Sequence, residues 1–456
     1  MNNKSQEGIY DVKELGAGKA FVLGLQHMFA MFGATVLVPL LTGLDVSTTL
    51  LFAGLGTLLF HLLTKRKVPA FLGSSFAFLG GYAAIAPMTD NQSNVEMIPY
   101  ACFGVACAGL VYLILAGLIK LFSAKRVMRF FPPIVTGPII IAIGLTLSKS
   151  AIDNCSSNWW VALVAIIVVI ICNIWGKGMI KIVPILIGVV VSYIAGVLMG
   201  EVDFTAVANA DWIGIPIRKE MTVLALFGEN FDASMLITAV ITIMPIALAT
   251  IVEHIGDISA ISSTTGRNYI KDPGLHRTLL GDGLATTMAS LFGAPANTTY
   301  GENTGVLNLS KVYDPFVVRL AAVFAILFSF CPKFSAIIQT MPTATVGGIS
   351  LILYGMISAV GVRNIVENQV DFVKSRNVII AALILVLSIG VNYSSAGNIA
   401  FTIGSITISL SGLAVGALTG IILNAILPGK DYEFDEEEPS DTGVNFQVGD
   451  RQKEEN

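Results

Sequence analysis

Fourteen apolar runs follow one another along the 456 residues, each bounded by polar breaks. They fall near 20–40, 46–64, 68–88, 99–121, 131–148, 159–176, 182–200, 234–258, 278–294, 296–311, 315–338, 342–361, 377–393 and 405–427. About 20 apolar residues span the hydrocarbon core of a bilayer. The runs therefore predict an all-α polytopic membrane protein with fourteen crossings. Lipid has to be the solvent, because 54% of residues are apolar and 13% charged, against roughly a quarter charged in soluble domains. The mean hydropathy of +0.76 agrees.

The basic residues test this count independently. Cytoplasmic loops carry an excess of Lys and Arg. With a cytoplasmic N-terminus and fourteen crossings, 23 of the 27 Lys and Arg residues fall inside. Only Lys149, Arg218, Lys219 and Lys333 fall outside. One span too many or too few would scramble the alternation from that point on, so both termini are placed in the cytoplasm.

The chain divides as a cytoplasmic segment 1–18, seven runs over 19–200, an external connection 201–233, seven runs over 234–428 and a tail 429–456. The connection is acidic and contains Trp212 and Pro216. The tail from Lys430 onward has ten acids and three bases, and is read as a solvated, disordered end. No short apolar region precedes a cleavage site in the first 18 residues, so the first run is read as the insertion signal. The five cysteines have no metal-ligand spacing and are read as small hydrophobes. No cofactor is expected.

The exceptions to hydrophobicity locate the chemistry. An odd number of spans per half makes the second half inverted relative to the first. Transporters of this design place their site at mid-membrane, where short, Gly-interrupted spans of the two halves meet. Both third runs are irregular: Val68–Gly81 contains Leu72-Gly-Ser-Ser-Phe-Ala-Phe78, and the tenth run reads Ala296-Asn-Thr-Thr-Tyr-Gly-Glu-Asn-Thr-Gly305. Non-helical backbone at membrane depth survives where it is buried in protein or lines a cavity.

Ionisable residues within spans are functional hypotheses by default. The eighth run holds Glu253-His254-Ile255-Gly256-Asp257, with Glu253 and Asp257 on one helical face. Glu302 lies in the tenth run, and Gln26-His27 interrupts the first. His61 and His276 read as interfacial, and Asp282, Arg319 and Lys333 as span-end charges without a special role. The bland alternative for the Glu pair is two neutral, hydrogen-bonded acids in the bundle.

Ionised Glu carboxylates accept hydrogen bonds, so a ligand should offer N–H donors. Gly301 permits close backbone approach to ligand carbonyls, and Phe76 offers a stacking face. Together these describe a small planar heterocycle of the nucleobase type, with amino acids and organic acids still open.

The strings Gln26–Ala34, Leu72–Phe78, Glu253–Gly256 and Asn297–Gly305 resemble the nucleobase–ascorbate transporter family (nucleobase–cation symporter-2), over about Gly18 to Pro428. The resemblance implies two inverted seven-span repeats forming a core and a gate domain, with short antiparallel strands in spans 3 and 10. It implies a proton-coupled uracil importer in the bacterial plasma membrane, working by alternating access, and a homodimer through the gate domain. Phe76 would stack on the base, Glu253 and Glu302 would accept its N–H groups, and Gly301 would lie near its carbonyls. His27, Tyr300 and Ser75 would be supporting residues. Glu253, His254 and Asp257 would serve proton coupling.

Two positions depart from the family pattern. Asp257 stands where uracil permeases can have a histidine linked to proton coupling, and burial shifts carboxylic acids and imidazoles in opposite directions. Ser310 stands where Thr is usual and keeps the hydroxyl. The competing readings are a purine or xanthine carrier of the same fold and an anion exchanger of the sulfate-transporter type. Paired acids would repel an anion. An intramembrane enzyme would need a metal cluster or a Ser/His pair, and a channel would need a filter sequence. Neither motif stands in the sequence, and no nucleic-acid partner is expected.

Overall fold

In the computed structural model, residues 8–88, 92–177, 179–228, 231–403, 406–429 and 432 are described. Each apolar run contains helix. The first four give α1 (Ala17–Thr42), α2 (Val46–Leu63), α3 (Leu79–Ile85) and α4 (Ile98–Phe122). The next three give α5 (Pro133–Cys155), α6 (Trp159–Ile174) and α7 (Pro184–Leu198). The second half supplies α8 (Ala233–Ile243), α9 (Ala247–Thr265), α10 (Leu275–Leu291), α11 (Glu302–Ser310) and α12 (Pro315–Ser329). It closes with α13 (Pro332–Gln339), α14 (Thr343–Glu367), α15 (Ser375–Asn392) and α16 (Gly412–Ile426).

Local sequence explains the element ends. Gly43, at φ 76°, terminates α1 in the left-handed region, where glycine carries no Cβ penalty. Two residues on, the Asp45 carboxylate accepts from the Thr48 N–H at 2.7 Å and caps α2. Asp232 and Asp314 cap α8 and α12 in the same way. Pro99, Pro133, Pro184 and Pro315 sit in first turns, where their missing N–H costs no helical bond.

The packing has an internal symmetry. The heaviest contacts pair α5 with α14, α4 with α10, α2 with α12, α15 with α16 and α6 with α7. Exchanging each run of the first half for its counterpart seven runs later turns α4/α10 into α12/α2, and α6/α7 into α15/α16. It also maps α1/α12 onto α8/α4, and α6/α14 onto α15/α5, all of which are packed pairs. The strongest pairs also fall into two groups. Runs 1–4 pack with runs 8–11, and runs 5–7 with runs 12–14. Close glycines allow this: a Cβ on Gly144 would lie 2.2 Å from the Tyr354 carbonyl oxygen, and one on Gly361 2.6 Å from that of Gly137.

Among the described residues, seven helices are long and apolar enough to cross a membrane, or eight if the pair α12/α13 is one span bent by 88°. The bounds of two runs differ from expectation. The eighth run is longer than expected, because Ala233–Thr265 forms one candidate span. The fourteenth is shorter. Residues Asn398–Ile403 (β3) and Ile406–Ser411 (β4) pair antiparallel before α16 begins at Gly412. The cause is visible in Ile406-Thr-Ile-Ser-Leu-Ser411, which alternates apolar and polar residues with the period of a strand. The connection 201–233 carries a short helix, Thr205–Asn209. Residues 1–7, residues 404–405 and most of the tail lie outside the described residues.

Candidate functional site

Two three-residue strands meet at the middle of the first helix group. Leu72–Ser74 (β1) pairs antiparallel with Asn297–Thr299 (β2), in the register Leu72↔Thr299, Gly73↔Thr298 and Ser74↔Asn297. Ser75 N–H donates to the Ala296 carbonyl and Tyr300 N–H to the Phe71 carbonyl, both at 3.0 Å, extending the ladder at each end. All six strand residues are buried. Each half breaks its helix here and satisfies the exposed backbone with the other half.

Close approach sets the side chains around the ladder. A Cβ on Gly73 would stand 2.6 Å from the Tyr300 ring, so this strand position needs glycine. The Tyr300 hydroxyl donates to the Ser74 carbonyl at 3.0 Å, locking the second half to the first. Thr57 of α2 brackets Leu72: its Oγ1 accepts from the Leu72 N–H at 2.9 Å and donates to the Leu72 carbonyl at 3.3 Å. His61 Nε2 lies 2.9 Å from the Ala70 carbonyl oxygen, and the side chain is fully buried. That corrects its reading as interfacial. It supports the approach to β1.

The second half is held by polar contacts. Asn303 Nδ2 donates to the Pro69 carbonyl at 2.6 Å, and its Oδ1 lies 3.2 Å from His27 Nδ1. His27 on α1 thus supports the first turn of α11. Asn297 Nδ2 donates to the Phe52 carbonyl at 2.7 Å.

The largest correction concerns Asp282. This carboxylate, on α10, is completely buried. Its Oδ1 accepts from the Thr299 N–H at 2.8 Å and from the Thr299 hydroxyl at 3.1 Å, while Oδ2 lies 3.1 Å from His254 Nδ1. His254 also lies 2.9 Å from Thr299 Oγ1, with Nε2 3.0 Å from Thr278 Oγ1. One network therefore joins α9, α10 and β2, and His254 is a structural hub within it. Position near a span end concealed Asp282. An Asp inside the Gly281–Gly283 pair of an apolar run is the signal that could have found it.

Phe76, Ala77 and Phe78 form a single 3-10 turn between β1 and α3. The Phe76 ring meets Tyr354 of α14 edge-on, with centroids 5.8 Å apart. It therefore stands where the two helix groups face each other. Ser75 is buried, and its Oγ has no hydrogen-bond partner among the described residues. A cavity of about 310 Å³ opens beside Phe76, with Lys149, Asp153 and Tyr393 on its wall. Glu253 and Gly301 do not line that cavity. Glu253 is half-buried on α9, and Asp257 follows one turn later, 4% exposed. Gly301 is buried in the turn before α11. Glu302 opens α11, and its side chain lies outside the described residues.

A multi-pass helical bundle whose two halves each contribute a broken helix to a shared strand pair is a membrane transporter architecture. Residues 18–397 match the model described as the Permease family, Xan_ur_permease. The chain belongs to this family of nucleobase permeases, and so to transporters rather than enzymes. It is 41% identical to the uracil permease of Bacillus caldolyticus over 422 residues, covering 91% of this chain and 93% of that protein. It is 37% identical to the uracil permease of Bacillus subtilis (strain 168) over 428 residues, or 91% and 94%. Among solved structures, the transmembrane domain of the cyanobacterial bicarbonate transporter BicA aligns with TM-score 0.56 at 16% identity, over 92% of this chain and 99% of that one. The murine SLC26A9 anion transporter in its inward-facing state aligns with TM-score 0.61 at 11% identity, over 93% and 69%. The two structures share the fold.

Proposed function

We propose that the protein imports uracil together with a proton across the bacterial plasma membrane by alternating access. The observation that carries this reading is the β1/β2 pair, with Phe76 at its mouth and the Glu253 helix beside it, in a chain 41% identical to a named uracil permease. Phe76 stacks on the pyrimidine. Glu253 and Glu302 accept its N–H groups, and Gly301 together with the Phe76 backbone lies against its carbonyls. Ser75 offers a hydroxyl with no other partner among the described residues. His27 and Tyr300 hold the frame through Asn303 and Ser74.

The chain crosses the membrane fourteen times as two inverted seven-span repeats over 19–200 and 234–428, with both termini cytoplasmic. The seven-run exchange symmetry of the packing supports this arrangement. The first helix group is the core that carries the site, and the second is the gate, through which two copies associate. Transport follows as the core rocks against the gate, with Phe76 and Tyr354 facing each other across the boundary.

A proton moving down a 100 mV potential releases about 2.3 kcal/mol, enough for roughly fiftyfold accumulation. Glu253 and Asp257, one turn apart, are the proton carriers, with His254 coupling them to β2. If Asp257→Asn still drives proton uptake with uracil at the wild-type ratio, Asp257 is not the obligatory carrier. Uptake of radiolabelled uracil into proteoliposomes, with and without a pH gradient, tests the whole reading. Stimulation by an inside-alkaline gradient supports symport. Uptake indifferent to the gradient removes the coupling and leaves the substrate, and preference for xanthine over uracil moves the substrate to the purines. The low-identity likeness to anion carriers shows fold alone.

A further inference from the structure

The N-terminal segment ahead of α1 is docked across the C-terminal ends of the two helices that carry the acidic site residues. Ile9 N–H donates to the Lys311 carbonyl and Tyr313 N–H to the Ile9 carbonyl, each at 2.8 Å. These bonds form a parallel bridge between Ile9 and Val312, immediately after α11. Val12 N–H donates to Asp314 Oδ2 at 2.8 Å, the same carboxylate that caps α12. Beneath the bridge, Val12, Ala20, Val312 and Val317 form a small buried cluster of their own.

Tyr10 reaches both helices at once. Its hydroxyl donates to the Thr265 carbonyl at 2.6 Å, at the last residue of α9. A helix leaves its final carbonyls without intrahelical partners, and Tyr10 supplies one. The Arg267 guanidinium lies 4.3 Å from the Tyr10 ring centroid, within cation–π range. The same ring packs on Tyr313, centroid to centroid 5.3 Å. Gly8 sits so close that an added Cβ would fall 2.1 Å from the Tyr313 ring.

We propose that residues 8–12 are a strap that fixes the α9 and α11 ends relative to each other, with Tyr10 as a positioning residue for the substrate site. Glu253 stands about 18 Å up α9 from Thr265, and Glu302 about 12 Å up α11 from Ser310, at 1.5 Å per residue. Both helices are short rigid levers, so their spacing at the strapped ends sets the spacing of the carboxylates. The strap acts on binding geometry and not on the rocking of core against gate, since every contact named lies within the first helix group or its flanking turns. The inference rests on the site assignment of Glu253 and Glu302 given above.

Two measurements on the full chain test it. In proteoliposomes, Tyr10→Ala and Gly8→Leu raise the apparent KM for uracil about fivefold, the scale of one net hydrogen bond with its ring contacts. Vmax per reconstituted transporter stays within about twofold, and Tyr10→Phe, which keeps the ring, restores most of the affinity. A fall in Vmax or in folded protein with KM unchanged overturns the proposal. So does no change at all. Hydrogen exchange in nanodiscs needs no substrate and separates this failure from failure of the site reading. Amides of 258–265 and 303–310 exchange faster in Tyr10→Ala, and equal exchange in both segments overturns the strap even if wild-type protein transports uracil normally. If the wild type takes up no uracil while both segments loosen, the strap stands as a structural device and its link to the site is overturned.

Discussion

The two strands at the centre of the molecule use one backbone device for two kinds of chemistry. On the first-half side, Leu72–Phe78 is apolar apart from Ser74 and Ser75, and carries the Phe76 ring beside a cavity. On the second-half side, Asn297–Asn303 is polar and anchored by the Asp282, His254 and His27 contacts. Symmetry of the fold therefore does not extend to the side chains. The first half supplies an aromatic ring beside a cavity, and the second supplies a fixed, polar wall. A planar ligand with donors on its edge would need both.

Substitutions that break the polar wall should have the largest effect. Asp282→Ala leaves the Thr299 N–H and hydroxyl without their acceptor, a loss of about 2–3 kcal/mol for a buried group. Uracil uptake should fall by more than about thirtyfold, and the thermal midpoint of the purified protein should drop. Uptake close to wild type would show that β2 is held without the network. The apolar side should be more forgiving of stability and harsher on affinity. On the proposed role of Phe76, Phe76→Ala removes a stacking contact with the base worth about 1–3 kcal/mol. Uracil titration should read a loss of about tenfold or more in Kd, with little change in melting. Equal loss of stability in the two variants would erase the distinction between the sides.

Gly73→Ala tests the contact between the sides. Its Cβ must displace the Tyr300 ring, costing about 1–3 kcal/mol and loosening the bond from Tyr300 to Ser74. Lower expression and a lower melting temperature should accompany a modest rise in KM. The smallest effect lies at the rim, where Lys67, leading into β1, donates to Asp272, leading into α10. That hydrogen bond holds the Asp272 carboxyl below its usual range. The stabilisation is present above pH about 4 and is lost as pH falls through the depressed value. Both groups are well exposed, so the pair is worth less than about 1 kcal/mol. Asp272→Asn should lower the melting temperature slightly at neutral pH and converge with wild type as pH falls below about 4, and a loss at pH 7 above that size would mean the clip does more.

Much of this was readable from residue order alone. The apolar runs and the placing of Lys and Arg predict a helical multi-pass chain, and each run contains helix. The irregular stretches at Leu72–Phe78 and Asn297–Gly305 announce themselves by Gly, Ser, Thr and Asn where lipid-facing helices carry Leu and Ile. What stayed hidden depends on partners far away in the chain. Asp282 looks like a span-end charge until folding brings Thr299 and His254 to it. His61 looks interfacial until the return of the chain through Ala70 covers it. The hairpin of β3 and β4 carries a strand period, but it sits against an apolar run that masks it. The strap at Ile9–Val12 gives no periodic signal, because its order comes from Lys311, Tyr313 and Asp314 three hundred residues away.

Solid-supported membrane recording tests the central claim most directly. Proteoliposomes holding the full chain are pulsed with uracil, and separately with bicarbonate, while charge movement is read. The account predicts a transient inward positive current on uracil, absent with bicarbonate and needing about tenfold or more uracil in Phe76→Ala. No uracil current, or a current of negative charge on bicarbonate that Phe76→Ala leaves intact, would contradict it.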